Sequence, residues 1–145
     1  MTCVRTLLLC VFAFLLVGTS GCGSSKSSDS EFSDSLTFGT SLGGTGFDLI
    51  GEGTSFSVAT TTGTLWFKLE SSADMAGRAV RLYINDGTYA TKDYTNPQSY
   101  GHILLSSFRI TDTGAFTVKG YLVEQVGPDI GKETFIASST VNMGP

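Results

Sequence analysis

This chain is poor in the residues from which most reaction chemistry is built. It has a single histidine, His102, and its three cysteines all fall within the first 22 positions. A lone imidazole without thiolates cannot hold a metal unless carboxylates gather around it. Asp86, Asp93, Asp112 and Asp129 fall beside turns, without the spacing that calcium ligation needs, and are expected to cap those turns. No metal and no cofactor is therefore expected. G-x-S-x-G, H-E-x-x-H and G-K-[ST] are all absent. The Gly-rich run 39–53 starts a G-x-G at Gly44 and Gly46, but Leu49 stands where the third glycine of a dinucleotide fingerprint belongs, and no helix follows. Ser106 and Ser107 follow His102 on a strand-like segment, not on a nucleophile elbow, so no catalytic residue is expected. The nine Lys and Arg against thirteen Asp and Glu do not cluster, which excludes a nucleic-acid footprint. The formal net charge of −4 favours solubility and indicates no partner. Only three prolines occur, against 18 glycines, and no segment keeps a helical period. That combination predicts an all-β chain rich in tight turns.

The N-terminus has its own pattern. Arg5 and the free amine precede an apolar run, Leu7 to Val17. The run is short of the roughly 20 residues a membrane-spanning helix needs and fits the apolar region of a signal peptide, assigned to residues 1–21. It is followed by Thr19-Ser20-Gly21-Cys22. Ser20, Gly21 and Cys22 resemble the lipobox of bacterial lipoproteins, with Thr19 standing where an aliphatic residue is usual. The resemblance implies that Cys22 becomes the lipidated first residue and anchors the protein to the membrane by acyl chains such as palmitate. Gly23 follows, where Asp would signal inner-membrane retention, so the implied address is the cell envelope at the outer membrane. The alternative is ordinary secretory cleavage that leaves Cys22 as a spare thiol. With Cys3 and Cys10 in the leader, the mature domain has no thiol for a disulfide or a nucleophile, and its stability must come from its core. Loss of Arg5 leaves eight basic against thirteen acidic residues, a formal charge of −5. Residues 22–35 then form the lipidated Cys and a Ser-rich linker, GSSKSSDSEFSDS, too polar to order itself. As a flexible coil it spans roughly 20 Å.

From Leu36 to Pro145 the pattern is strands and turns. Leu36 to Thr40, Phe47 to Ile50 and Phe56 to Val58 are short candidates around a Gly-rich region. Thr64 to Glu70 points Leu65, Phe67 and Leu69 one way and Trp66, Lys68 and Glu70 the other. Ser71 to Arg78 is a connection. Val80, Leu82 and Ile84 form the inward row of the next strand. Asn85-Asp86-Gly87-Thr88 predicts a two-residue hairpin turn, with Asp-Gly supplying positive φ. The return strand holds Tyr89 and stops at Asn96-Pro97. Strands at His102 to Ile110, Phe116 to Glu124 and Thr134 to Val141 complete the chain. Between the first two of these, Asp112, Thr113 and Gly114 supply turn chemistry, and Phe108, Ile110, Phe116 and Val118 share the inward phase. Gly120 inside the strand marks a bulge and leaves open whether Tyr121 or Leu122 faces the core.

D-x-G-x-F-x-V at Asp112 to Val118 resembles the D-x-G-x-Y-x-C corner of immunoglobulin-like domains. Phe116 occupies the place of the Tyr and lacks its hydroxyl, and Val118 occupies the place of the Cys and cannot form the inter-sheet disulfide. Trp66 is not in the position of the family's core Trp. The expectation is an immunoglobulin-like sandwich of about seven antiparallel strands.

Candidate binding residues are Trp66, Tyr83, Tyr89, Tyr94 and Tyr100, because exposed aromatics stack on sugars or anchor protein contacts; cross-strand packing on a half-wet face is the competing explanation. These residues imply a non-enzymatic module that meets another envelope protein. The alternative is a module that binds carbohydrate or another small ligand. A row of outward rings beside a groove with convergent polar groups would favour sugar. A flat apolar patch or a bare sheet edge would favour protein.

Overall fold

In the computed structural model, residues 32–98 and 101–145 are described. Strict alternation sets the fold in motion: in β1 (Ser35–Gly39), β5 (Thr64–Glu70) and β6 (Ala79–Ile84) every second side chain is buried. Between β1 and β5 lie the short strands β2 (Ser41–Leu42), β3 (Leu49–Ile50) and β4 (Ser55–Ser57), then a single helical turn, α1 (Val58–Thr61). After β6 come β7 (Ala90–Thr95), β8 (Ile103–Arg109), β9 (Gly114–Val123) and β10 (Glu133–Gly144). Seven of these ten strands have five residues or more.

The strands form a sandwich. One sheet runs β1-β5-β8, the other β4-β10-β9-β6-β7, and β2 with β3 makes a small separate ladder. Leu65, Phe67 and Leu69 from the first sheet meet Val80, Leu82, Ile84, Val118 and Leu122 from the second, all buried. The core holds only apolar side chains there, so its stabilisation is burial of apolar area, at about 25 cal/mol per Å².

β8 and β9 lie in different sheets. The segment between Arg109 and Gly114 therefore crosses from one sheet to the other and forms no hairpin. Phe108 and Ile110 face Phe116 and Val118 across the core, and all four are buried, as the period of two predicts.

Several expectations are corrected. The Asn85–Thr88 segment is not a two-residue hairpin: Ile84 pairs with Ala90, leaving a five-residue connection. Asn85, Asp86 and Gly87 have φ of 51°, 53° and 82°. What holds this left-handed run is Asn85, whose N–H donates to Thr117 O at 2.8 Å and whose Oδ1 accepts from Thr117 N–H at 2.9 Å. Phe56 to Val58 is not one strand, because Ser57 caps α1 by accepting from the Thr60 N–H, which turns the chain at Val58. The sheets are not wholly antiparallel either: β4 pairs parallel with β10. The bulge lies on β10, between Phe135 and Ala137, and not at Gly120. Gly120 sits on the core face, where a Cβ would come within 3.1 Å of Leu69 Cδ1 and Cδ2, so it is small because the opposite sheet fills its space. Leu122 is buried and Tyr121 faces out. Asp93 lies within β7, away from any turn.

Candidate interaction face

The five aromatic residues singled out by sequence do not share a surface. Trp66 is half-buried on the outer face of the β1-β5-β8 sheet, opposite Gly39 and Ser107. Tyr83 is on the outer face of the other sheet. Tyr89 and Tyr94 turn inward, against expectation. Tyr89 packs edge-on against Phe116 with centroids 4.9 Å apart, and its hydroxyl oxygen accepts from the Thr111 N–H. Tyr94 packs on Phe67 at 5.2 Å and donates its hydroxyl to Ser107 O at 3.0 Å. β7 is an edge strand of one sheet and β8 an edge strand of the other, so Tyr94 ties the two edges together on that side of the sandwich. Tyr100 and Cys22 lie outside the described residues.

Burial raises the Tyr94 phenol to about 12. The unfolded phenol titrates near 10, so Tyr94 adds no pH dependence below roughly pH 10 and loses its stabilising contribution as pH rises from there towards 12. Thermal unfolding in alkali should fall more steeply for the native chain than for Tyr94→Phe; parallel curves would refute the assignment.

Two rings join Tyr83 that alternation alone missed. Tyr121 meets Tyr83 at 5.5 Å with an interplanar angle of 81°, and Phe135 meets Tyr121 at 5.5 Å and 69°. Gly120 hid the phase of Tyr121, and the bulge hid that of Phe135. Cross-strand register places Asp93, Arg81, Tyr121 and Phe135 in one row over β7, β6, β9 and β10. Phe135 is 53% exposed, which is high for a ring on a sheet face.

A charged lattice borders the rings. Arg81 holds Asp93 with two hydrogen bonds, Nε to Oδ1 at 2.6 Å and Nη2 to Oδ2 at 3.0 Å. Its Nη1 donates to Glu133 Oε1 at 2.9 Å, and the Tyr83 hydroxyl donates to the same oxygen at 2.8 Å. Hydrogen bonding to Asp93 above all, with help from Tyr83 and Glu133, raises the Arg81 guanidinium pKa, and the Arg81 bond lowers that of Asp93. Lys119 Nζ donates to Asp86 Oδ1 at 2.7 Å, which raises the Lys119 pKa. The forked Arg81–Asp93 pair is the geometry in which a partly exposed ion pair is best held.

A groove of about 280 Å³ runs beside this lattice, between Ala79, Thr95, Val123 and Gln125. A larger, open concavity of about 540 Å³ lies between β4 and the start of β9, lined by Phe56, Ala115 and Met143 among others, with no ionisable side chain. His102 precedes β8, and its Nδ1–H donates to Ser71 O at 3.0 Å. Among the described residues no three His, Cys, Asp or Glu side chains are grouped to hold a metal ion. No helix among them is long and apolar enough to cross a membrane. No family model, curated protein or solved structure matches the chain.

Proposed function

We propose that the chain is a lipid-anchored envelope protein whose β-sandwich is a non-enzymatic interaction module, and that it meets another envelope protein through the outer face of the five-stranded sheet. The observation that carries this is the Tyr83–Tyr121–Phe135 cluster of edge-to-face rings with its paired charges. Interfaces gain most of their affinity from a few central aromatic and Arg anchors surrounded by polar groups. Tyr121 and Phe135 are held in place by edge-to-face contact with their neighbours, so little rotamer freedom is lost when a partner covers them. The immunoglobulin-like assignment draws support from the strand order: β8 and β9 join across the sheets at the Asp112–Gly114 corner, and β6, β9 and β10 stand together as C, F and G do in that fold. The lipid anchor rests on Ser20, Gly21 and Cys22.

Carbohydrate is the second assignment because a groove lined by Arg81, Asp93, Tyr94 and Gln125 lies beside the charged lattice. Two features favour protein. Edge-to-face rings at 81° and 69° offer no common plane for a sugar ring. Arg81 engages both carboxylate oxygens of Asp93, so the two charged groups of the groove are already paired with each other.

The test is site-specific photo-crosslinking of the full chain in native membranes. A probe at Phe135 should give a discrete adduct with a protein, a probe at Lys68 on the opposite sheet should not, and Cys22→Ser should both release the protein from the membrane and abolish the adduct. Equal labelling from both faces would rule out the proposed face. A glycan adduct would favour the second assignment.

A further inference from the structure

The chain enters the sandwich at a defined place. The Phe32 ring stacks on His102 at 4.8 Å, nearly parallel at 8°. Asp34 Oδ1 accepts from the Ser72 N–H at 2.7 Å, the Ser72 hydroxyl at 3.2 Å and the Ser71 hydroxyl at 3.1 Å. The fold thus reaches back beyond Leu36, and the point where the tether joins is clamped to the Ser71–Ser72 corner. Ser35 pairs with Glu70, the Ser71–Arg78 connection leads to Ala79, and Ala79 pairs with Val123. The point where the chain enters the sandwich and the β9–β10 connection therefore lie at the same end.

That connection carries the most exposed large apolar side chains among the described residues. Val126 is 79% exposed and Ile130 68%. The last rung below them is Glu124 N–H to Lys132 O, and the loop above it is braced by Gly131 N–H to Glu124 O and by Lys132 N–H to Asp129 O. The apolar groups are thus displayed by a hydrogen-bonded tip. The charges around the tip are paired with each other: Arg78 with Glu124, and Lys132 with Asp129 at 4.0 Å. The tip's own charges are thereby matched, while Asp34 and Asp74 at the same end of the sandwich are held by neutral donors.

We infer that this tip docks on the surface of the bilayer that holds the Cys22 lipid, with Val126 and Ile130 entering the headgroup–acyl boundary. The inference rests on the lipid anchor proposed above. Residues 23–31 separate Cys22 from Phe32, and even fully extended they reach at most roughly 35 Å. A tether that short, fixed to the tip's own end, favours that end towards the membrane. Two apolar side chains bind a bilayer weakly on their own; beside a covalent lipid they add a second contact that sets orientation. The Tyr83–Tyr121–Phe135 face then stands upright and free for a protein partner.

The experiment uses the full lipidated chain, with Trp66→Phe, in phosphatidylethanolamine–phosphatidylglycerol vesicles containing lipids brominated along their acyl chains. Emission is read from Ile130→Trp at the tip and, separately, from Thr113→Trp at the opposite end. Flotation with the vesicles and quenching of Ile130→Trp at least roughly two-fold stronger than of Thr113→Trp is the expected result, since interfacial side chains lie within reach of the upper acyl carbons. Flotation with equal, weak quenching at both sites overturns the docking and leaves the anchor standing. Failure to float removes the anchor and the docking together.

Discussion

Phe116→Ala should lower the free energy of unfolding by about 3–5 kcal/mol, a large share of what a domain of this size possesses. The ring is buried between the sheets and packs edge-on against Tyr89, so its removal takes away apolar burial and leaves a cavity that two hydrogen-bonded sheets cannot close. It also frees the Tyr89 ring, whose hydroxyl oxygen accepts from Thr111 N–H on the crossing segment. The neighbouring Thr117→Ala should change stability by about 0.5 kcal/mol or less. Its side chain points to the outer face and shares only an exposed hydroxyl contact with Thr140, while the backbone bonds to Asn85 survive the substitution. Denaturant midpoints for the two variants measure register directly, because a strand slipped by one residue would reverse their order. Equal losses would contradict the assigned faces of β9.

Gly120→Leu should overpack the core, costing about 1–3 kcal/mol or preventing folding. Gly120 has no positive φ, so the requirement is for space and not for backbone freedom. A first carbon there meets Leu69 Cδ1 and Cδ2 at 3.1 Å and Leu82 Cδ2 at 3.3 Å. Those are the far ends of flexible side chains, so Gly120→Ala should be absorbed by shifts of a few tenths of an ångström, with a far smaller loss. A leucine has nowhere to go. Leu69→Ala in the same chain should restore part of the stability lost by Gly120→Leu, although by itself it is destabilising. Independent, additive losses in the double variant would show that the two positions do not share space.

The sandwich was legible in the alternation of particular segments. Leu65, Phe67 and Leu69, then Val80, Leu82 and Ile84, then Phe116 and Val118 each repeat every second residue, and all are buried. Such runs declare their buried face because a strand places successive side chains on opposite sides whatever its neighbours are. The candidate face was much less legible. Its central ring, Tyr121, follows a glycine, and Phe135 precedes a bulged residue, so alternation lost its phase at both. Tyr94 shows the opposite error. It belongs to an edge strand whose other side chains are mostly exposed, and it turns in to reach Ser107 on the opposite sheet, a partner 13 residues away with no mark in the local pattern.

The amino-acid sequence by itself therefore determined the all-β class, the main strands, and the inward faces of β5, β6, β8 and the first half of β9, because local alternation and burial act within a few residues. Only the tertiary structure decided that β8 and β9 part into different sheets, that β4 runs parallel to β10, that the Tyr83, Tyr121 and Phe135 rings meet in one cluster, and that the entering chain and the Val126–Ile130 tip share an end. Those outcomes depend on which strands lie side by side. That choice is made by packing two sheets over a common core, between residues far apart in the chain.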